Sequence, residues 1–138
     1  MAKQKRGQGP SIVDEVAQEL EKLNNMGELQ AEDLVEYADK VGKFLESKGL
    51  KASQIRKFLD AVNQIKARSF RERFDFEREA ILLRPKLAWA AGGQKKQVEP
   101  LMRVLDPCMK RVKDEKDFAN FARFVEAIVA YHRFYGGD

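Results

Sequence analysis

At 138 residues and 43% apolar residues, the chain is long enough to bury the core of one domain. No apolar run approaches the about 18 residues of a membrane span, and the polar, basic start lacks the apolar stretch of a secretory signal, so we expect a cytoplasmic protein. The single cysteine, Cys108, excludes an internal disulfide and a multi-cysteine zinc site.

Charge is unevenly distributed behind the net charge of +4. Residues 11–50 contain ten acidic and four basic side chains, whereas residues 51–116 contain seventeen basic and nine acidic ones. This segregation predicts two oppositely charged faces, the basic one suited to an anionic partner. The alternative is a solvated surface of the kind common on helical proteins.

The first third of the chain predicts a tail and two helices. Residues 1–10 form a flexible basic tail, and residues 11–138 form a single helical-bundle domain. Ser11 is the N-cap of a first helix, whose apolar residues recur at helical spacing as far as Leu23. A second helix runs from about residue 31 to 48 and ends at Gly49.

The middle of the chain predicts two more helices. Ser53 caps the third, whose buried stripe from Ile55 to Ile65 leaves basic residues outside. A fourth helical segment spans roughly residues 70–91, and Pro85 either kinks it or starts a second piece.

The last third predicts two helices. One starts near Val98, with Pro100 in its first turn and Pro107 bending or ending it. Asp114 caps the other, an aromatic helix that ends at the paired glycines 136–137. Because no segment alternates apolar and polar residues for long, we expect an all-α fold, a compact bundle of five to six helices.

No catalytic signature is present in the sequence. His132, the only histidine, lies on the apolar stripe of the last helix, where packing is its expected role. Cys108 would have to reach it across the fold to make a nucleophile and base pair. There is no metal-ligand spacing and no glycine-rich phosphate loop, so we expect no catalytic residues, no metal, no cofactor and no enzyme activity.

The basic segments carry the functional signal. In LLRPKLAWAAGG, residues 82–93, Arg84 and Lys86 bracket Pro85, and no acidic residue lies between Glu79 and Glu99. Basic side chains at a point where the chain changes direction are suited to binding a phosphate group. The sequence therefore predicts binding of nucleic-acid backbone without base reading.

Other charged and aromatic residues favour structural roles. The arginines of RSFRERFDFER alternate with acids, which predicts ion pairs within one helix. We expect Trp89 to pack in the core, since Leu87 and Ala90 are its apolar neighbours, although it could instead stack on a base. Phe74 and Phe76 are expected to pack as well.

Three stretches resemble the small subunit of type III-A CRISPR effector complexes, the Csm small subunit family. SQIRKFL, from Ser53, is similar to one signature helix of that family, and LLRPKLAWAAGG to a second. The final FARFVEAIVAYHRFYGG resembles its aromatic last helix. The order and spacing of the three stretches, together with the length of the chain, make the resemblance specific.

The resemblance implies a non-catalytic helical bundle. Several copies would stack along a ribonucleoprotein beside other subunits and hold the crRNA–target RNA duplex without reading its sequence. Gln94 follows Gly93 where the family often has arginine, and Lys95 or Lys96 would replace it. The expected RNA-binding residues are Lys51, Gln54, Arg56, Lys57, Arg84, Lys86, Lys95 and Lys96.

Three alternatives stay open at this point. One is a helical protein–protein adaptor whose basic surface meets an acidic partner. Another is the small subunit of a type III-B complex, which shares the helical architecture. The third is an enzyme that uses His132 with Cys108 or a carboxylate.

Overall fold

Six α-helices and one short 3₁₀ turn form the part of the chain that the structure, a computed structural model, describes: residues 11–71 and 73–138. These two ranges contain no strand, which confirms the predicted all-α fold. The predicted tail, residues 1–10, lies outside them. The helices are α1 (Ile12–Glu21), α2 (Ala31–Ser47), α3 (Ala52–Arg68), α4 (Phe76–Ala90), α5 (Lys95–Met109) and α6 (Glu115–Phe134), with the 3₁₀ turn at Met26–Glu28.

Three helices begin at a residue whose side-chain oxygen accepts a hydrogen bond from the backbone: Ser11 before α1, Asp75 before α4 and Asp114 before α6. Ser11 Oγ accepts a hydrogen bond from the Asp14 amide at 3.2 Å, and the Asp14 carboxylate accepts one from the Ser11 amide. Asp114 accepts from the amide of Asp117 at 2.9 Å. Such caps satisfy donors that have no partner within the helix, and those of Ser11 and Asp114 were predicted from the sequence.

Helices α3 and α4 begin elsewhere than predicted. Ser53 lies inside α3, which starts at Ala52, and so it is not the cap. The Ala52 amide has no partner within the helix and donates to the backbone carbonyl of Asp138. The fourth helix begins at Phe76 rather than near residue 70. Asp75 caps it there by accepting from the Arg78 amide at 3.0 Å, just after Arg73 adopts a positive φ of 56°.

Three prolines lie within helices without splitting them. Pro85 is inside α4, which stays one helix although the ring removes a backbone donor. Pro100 lies beyond the first turn of α5, because α5 starts at Lys95 rather than near Val98. Pro107 also lies inside α5, which ends two residues later.

Helix α6 forms one wall of the core and packs against α2, α3 and the 3₁₀ turn. On the other side, α5 packs against α1 and α4, and α3 packs against α4. Aromatic rings fill the centre: the ring centroids of Phe58 and Phe121 lie 6.4 Å apart, and those of Phe118 and Phe121 lie 6.0 Å apart. Both distances fall in the range of favourable aromatic pairs.

Buried polar side chains tie loops to α6. Asp117 accepts hydrogen bonds from the Gly27 amide at 2.7 Å and from the Lys113 amide at 3.0 Å. His132 is buried, and its Nε2 lies 2.7 Å from the carbonyl of Leu50. These bonds fix the turns before α2, α3 and α6 against the bundle.

Helices α2 and α6 come very close to one another at Gly42. A Cβ placed there would lie 2.7 Å from the backbone nitrogen of His132 and 2.7 Å from Cβ of Tyr131. No side chain therefore fits at this position while the two helices keep their spacing.

We predict that Gly42→Ala lowers the free energy of unfolding by up to about 2 kcal/mol, because an over-packing cost of about 1–3 kcal/mol exceeds the gain of about 1 kcal/mol in helix propensity. Urea denaturation measures it. Gly93→Ala is the matched control, since nothing lies within 4 Å of its Cβ position. A Gly42→Ala protein as stable as the wild type would contradict this close helix contact.

Candidate nucleic-acid interface

The orientation of α4 is set by its apolar face. Leu83 and Leu87 are buried, together with Ala80 and Ala90. Trp89 is two positions from Leu87 and therefore lies about 200° around the helix from it. Lys86 and Trp89 are both exposed to solvent. Burial of four side chains thus fixes which charges α4 displays.

Helix α3 is oriented in the same way. Ile55, Phe58 and Val62 are buried, and Arg56 and Lys57 are exposed between them. Since α3 packs on α4, the exposed side of α3 comes next to that of α4.

The two basic motifs of the sequence meet at a groove between these helices. Its volume is about 270 Å³, and Lys57 from α3 and Lys86 from α4 both line it. Asp60, Gln64 and Trp89 are among the other lining residues. Within residues 11–71 and 73–138, neither lysine forms an ion pair. We call this the α3–α4 groove.

Trp89 is not a core residue, and the prediction that it packs inside was wrong. It is 78% exposed, and Nζ of Lys57 lies 5.7 Å from its ring centroid. Leu87 lies about 200° around the helix from Trp89, on the buried face of α4, whereas Ala90 is buried beside the groove that Trp89 lines. The spacing of Leu82, Lys86 and Trp89 was the signal for this outer position.

Arg84 lies on a different side of α4 from Lys86. Its Nε is 2.6 Å from Oδ1 of Asp106 on α5, and its Nη2 donates to Oδ2 at 3.3 Å. Nζ of Lys110 is 3.5 Å from the same carboxylate. The segment between Glu79 and Glu99 contains no acidic residue, but the fold brings Asp106 of α5 against it. Arg84 does not line the groove with Lys86.

The other predicted residues surround the ends of α3 and α5. Lys51 and Arg56 are exposed, whereas Gln54 is half-buried and its Oε1 has no partner among the described residues. Lys95 and Lys96 are exposed at the start of α5, and Nζ of Lys95 is 3.9 Å from Glu99. Neither lysine lines the α3–α4 groove.

An ion pair that the sequence did not predict joins α3 to α4. Nη2 of Arg68 donates to Oε1 of Glu79 at 2.9 Å, and its guanidinium carbon lies 5.8 Å from the ring centroid of Phe74. The alternating charges had suggested pairs within one helix, but the chain turns between these residues. The pair and the buried apolar face hold the two helices side by side.

The candidate catalytic residues are engaged in packing. Burial strongly raises the pKa of the Cys108 thiol, which disfavours the nucleophilic thiolate, and Sγ contacts the carbonyl of Val104 at 3.5 Å. Nε2 of His132 is within hydrogen-bond distance of the backbone carbonyl of Leu50. Among the described residues, no group of three or more His, Cys, Asp or Glu could hold a metal ion, and no helix is long and apolar enough to cross a membrane.

Acidic side chains lie along α1 and α2. Glu15, Glu19 and Glu36 line a second groove, together with Tyr37. Burial and the nearby carboxylates, among them Asp33, raise the pKa of the Tyr37 hydroxyl. We call this the α1–α2 acidic surface.

We predict a small coupling energy between Arg84 and Asp106, about 0.2–1 kcal/mol, because both side chains are partly exposed, at 44% and 33%. Urea unfolding of Arg84→Ala, Asp106→Ala and the double variant gives this value as a double-mutant cycle. A coupling above about 3 kcal/mol would contradict it, since that is the behaviour of a buried pair.

Comparison with known proteins agrees with these features. Residues 28–138, which include both basic motifs and α6, match the family described as Csm2 Type III-A. The "CRISPR system Cms protein Csm2" of Streptococcus thermophilus is 33% identical over 120 residues, which are 81% of this chain and 98% of that protein. The predicted family is confirmed: the chain belongs to the Csm2 family of type III-A CRISPR systems.

Proposed function

We propose that this Csm2-family small subunit binds the sugar–phosphate backbone of the crRNA–target RNA duplex and has no catalytic role. The binding surface is the α3–α4 face, which consists of Lys51, Arg56, Lys57 and Lys86. The observation that carries the proposal is the convergence of Lys57 and Lys86, from two separate sequence motifs, at one groove. Arg56 and Lys51 extend the positive charge along α3.

The charges of this face suit a backbone rather than a base sequence. Lysines that form no ion pair within the described residues can neutralise phosphates and release their counterions. In a guide-directed complex, base pairing supplies sequence specificity, so the protein needs only charge and shape. Binding by one isolated subunit is therefore weak and strongly dependent on salt.

Repeated copies would convert weak sites into strong binding. The α1–α2 acidic surface could join one copy to the next, because it can contact exposed basic residues of a neighbouring copy. Glu32, Asp33 and Glu36 are exposed on α2 and belong to the acidic part of the chain. Opposite charges at such contacts steer association and set orientation.

A second function, that of a protein–protein adaptor, is favoured by one observation. Ile81 and Leu82 are 40% and 43% exposed on α4 and line an apolar groove with Met102 and Met109. Large exposed apolar side chains are typical of docking surfaces. An adaptor would bind another subunit through this groove and show no salt-dependent affinity for RNA.

We predict that the double variant Lys57→Glu, Lys86→Glu loses at least about 10-fold in affinity for a guide–target RNA duplex at low salt, because two phosphate contacts become repulsive. Filter binding across a salt series measures both the affinity and the salt slope, and the slope should decrease by about 2.

The matched control is Lys113→Glu, Lys116→Glu, which makes the same change in net charge at exposed positions before and at the start of α6. Acids near a helix N-terminus are tolerated, so this variant should fold and keep its RNA affinity. Equal losses in both variants would reduce the effect to net charge and contradict a role of the α3–α4 face.

We predict that Glu36→Lys weakens self-association of the protein by up to about five-fold at low salt, since an exposed ion pair contributes about 0.2–1 kcal/mol. Sedimentation velocity measures it, and Glu126→Lys, exposed on α6, is the control of equal charge change. If both variants associate like the wild type, the α1–α2 acidic surface does not join the copies.

A further inference from the structure

Phosphate binding leaves one feature of the α3–α4 groove unexplained. The indole of Trp89 extends from the outer side of α4 and is 78% exposed, although a backbone site needs only cations. We propose that Trp89, Lys57 and Lys86 form a stacking site for one unpaired nucleobase of an RNA strand. The inference rests on the proposed RNA-binding function and specifies which part of the RNA this groove binds.

The ring is already polarised for stacking. Nζ of Lys57 lies over the Trp89 ring, 5.7 Å from its centroid, which is the range of a cation–π contact. Because most of the side chain is exposed, a flat ligand can approach it from the solvent side. Stacking of a base on such a ring is favourable and tolerates any base, since every base has a π-face.

The polar residues of the groove match the edge of a base. Asp60 forms no ion pair within residues 11–71 and 73–138 and lies with Gln64 in the lining of the groove. A carboxylate repels a phosphate, but it accepts hydrogen bonds from the amino groups of cytosine or adenine. Gln64 can both donate to and accept from a base edge. An acid among cations is therefore better explained by a base than by phosphate alone.

Size and charge favour a nucleotide over a protein segment. The groove of about 270 Å³ is below the about 300–1,000 Å³ of sites that enclose a drug-sized ligand, so it accommodates a single flat ring. Lys57 of α3 and Lys86 of α4 both line the groove, so each can pair with a phosphate next to a stacked base. The apolar docking residues Ile81 and Leu82 belong to the separate groove against α5.

Trp89 is the only tryptophan of the chain, so its fluorescence reports this site alone. The probes are a short oligoadenylate, its fully paired duplex, and an abasic ribose–phosphate strand of the same length. We expect the oligoadenylate to quench the emission of the full-length protein at low salt. The duplex and the abasic strand should bind without comparable quenching, because they offer no unpaired base.

Affinity for the same three probes tests the energetic role of the ring. Trp89→Ala should weaken oligoadenylate binding by about 5-fold to 150-fold, the range for loss of one stacked base, and leave the salt slope unchanged. Trp89→Phe should retain most of the affinity. Phe134→Ala is the matched control, since Phe134 is 76% exposed on α6, and it should have no effect.

The outcomes separate this inference from the proposed function. Salt-dependent binding of all three probes, with no quenching and no effect of Trp89→Ala, overturns the stacking site and leaves backbone binding intact. Absence of salt-dependent binding to any probe overturns both. Quenching by the other purified subunits without RNA, together with loss of their binding in Trp89→Ala, assigns the ring to a protein contact and also overturns the stacking site.

Discussion

The proposed RNA-binding surface depends on the burial of one face of α4. Leu83 and Leu87 are buried in the bundle, where α4 packs against α3 and α5, and their burial fixes the rotation of the helix about its axis. Rotation by one residue, about 100°, would carry Lys86 out of the α3–α4 groove and Arg84 away from Asp106. A packing constraint thus decides which cations are available to a ligand and which are neutralised within the protein.

The fold was largely predictable because helical periodicity and caps are local signals. Ser11 and Asp114 were identified from residue type alone, and their caps are present. The starts of α3 and α4 were missed for different reasons. The partner of the Ala52 amide is Asp138, far away in sequence, whereas the Asp75 cap was hidden by the alternating charges around it.

The candidate site was predictable in composition but not in grouping. The basic motifs, and with them Lys57 and Lys86, were found from the sequence, yet no sequence pattern places residues of two helices at one groove. The ion pair of Arg84 with Asp106 was equally out of reach, because the two residues are 22 positions apart and on different helices. Trp89 could have been placed correctly, since its spacing from Lys86 and Leu82 marks the outer face, but its apolar neighbours suggested the core.

The proposed function connects RNA binding with assembly through a division of charge: the α3–α4 face would attract phosphates, and the α1–α2 acidic surface would repel them and remain free for another copy. Photo-crosslinking of the assembled ribonucleoprotein, with the linked peptides identified by mass spectrometry, tests the orientation directly. RNA crosslinks of this subunit should fall within α3 and α4. Crosslinks confined to α1 and α2, or none to this subunit while other subunits react, would contradict contact between the α3–α4 face and RNA.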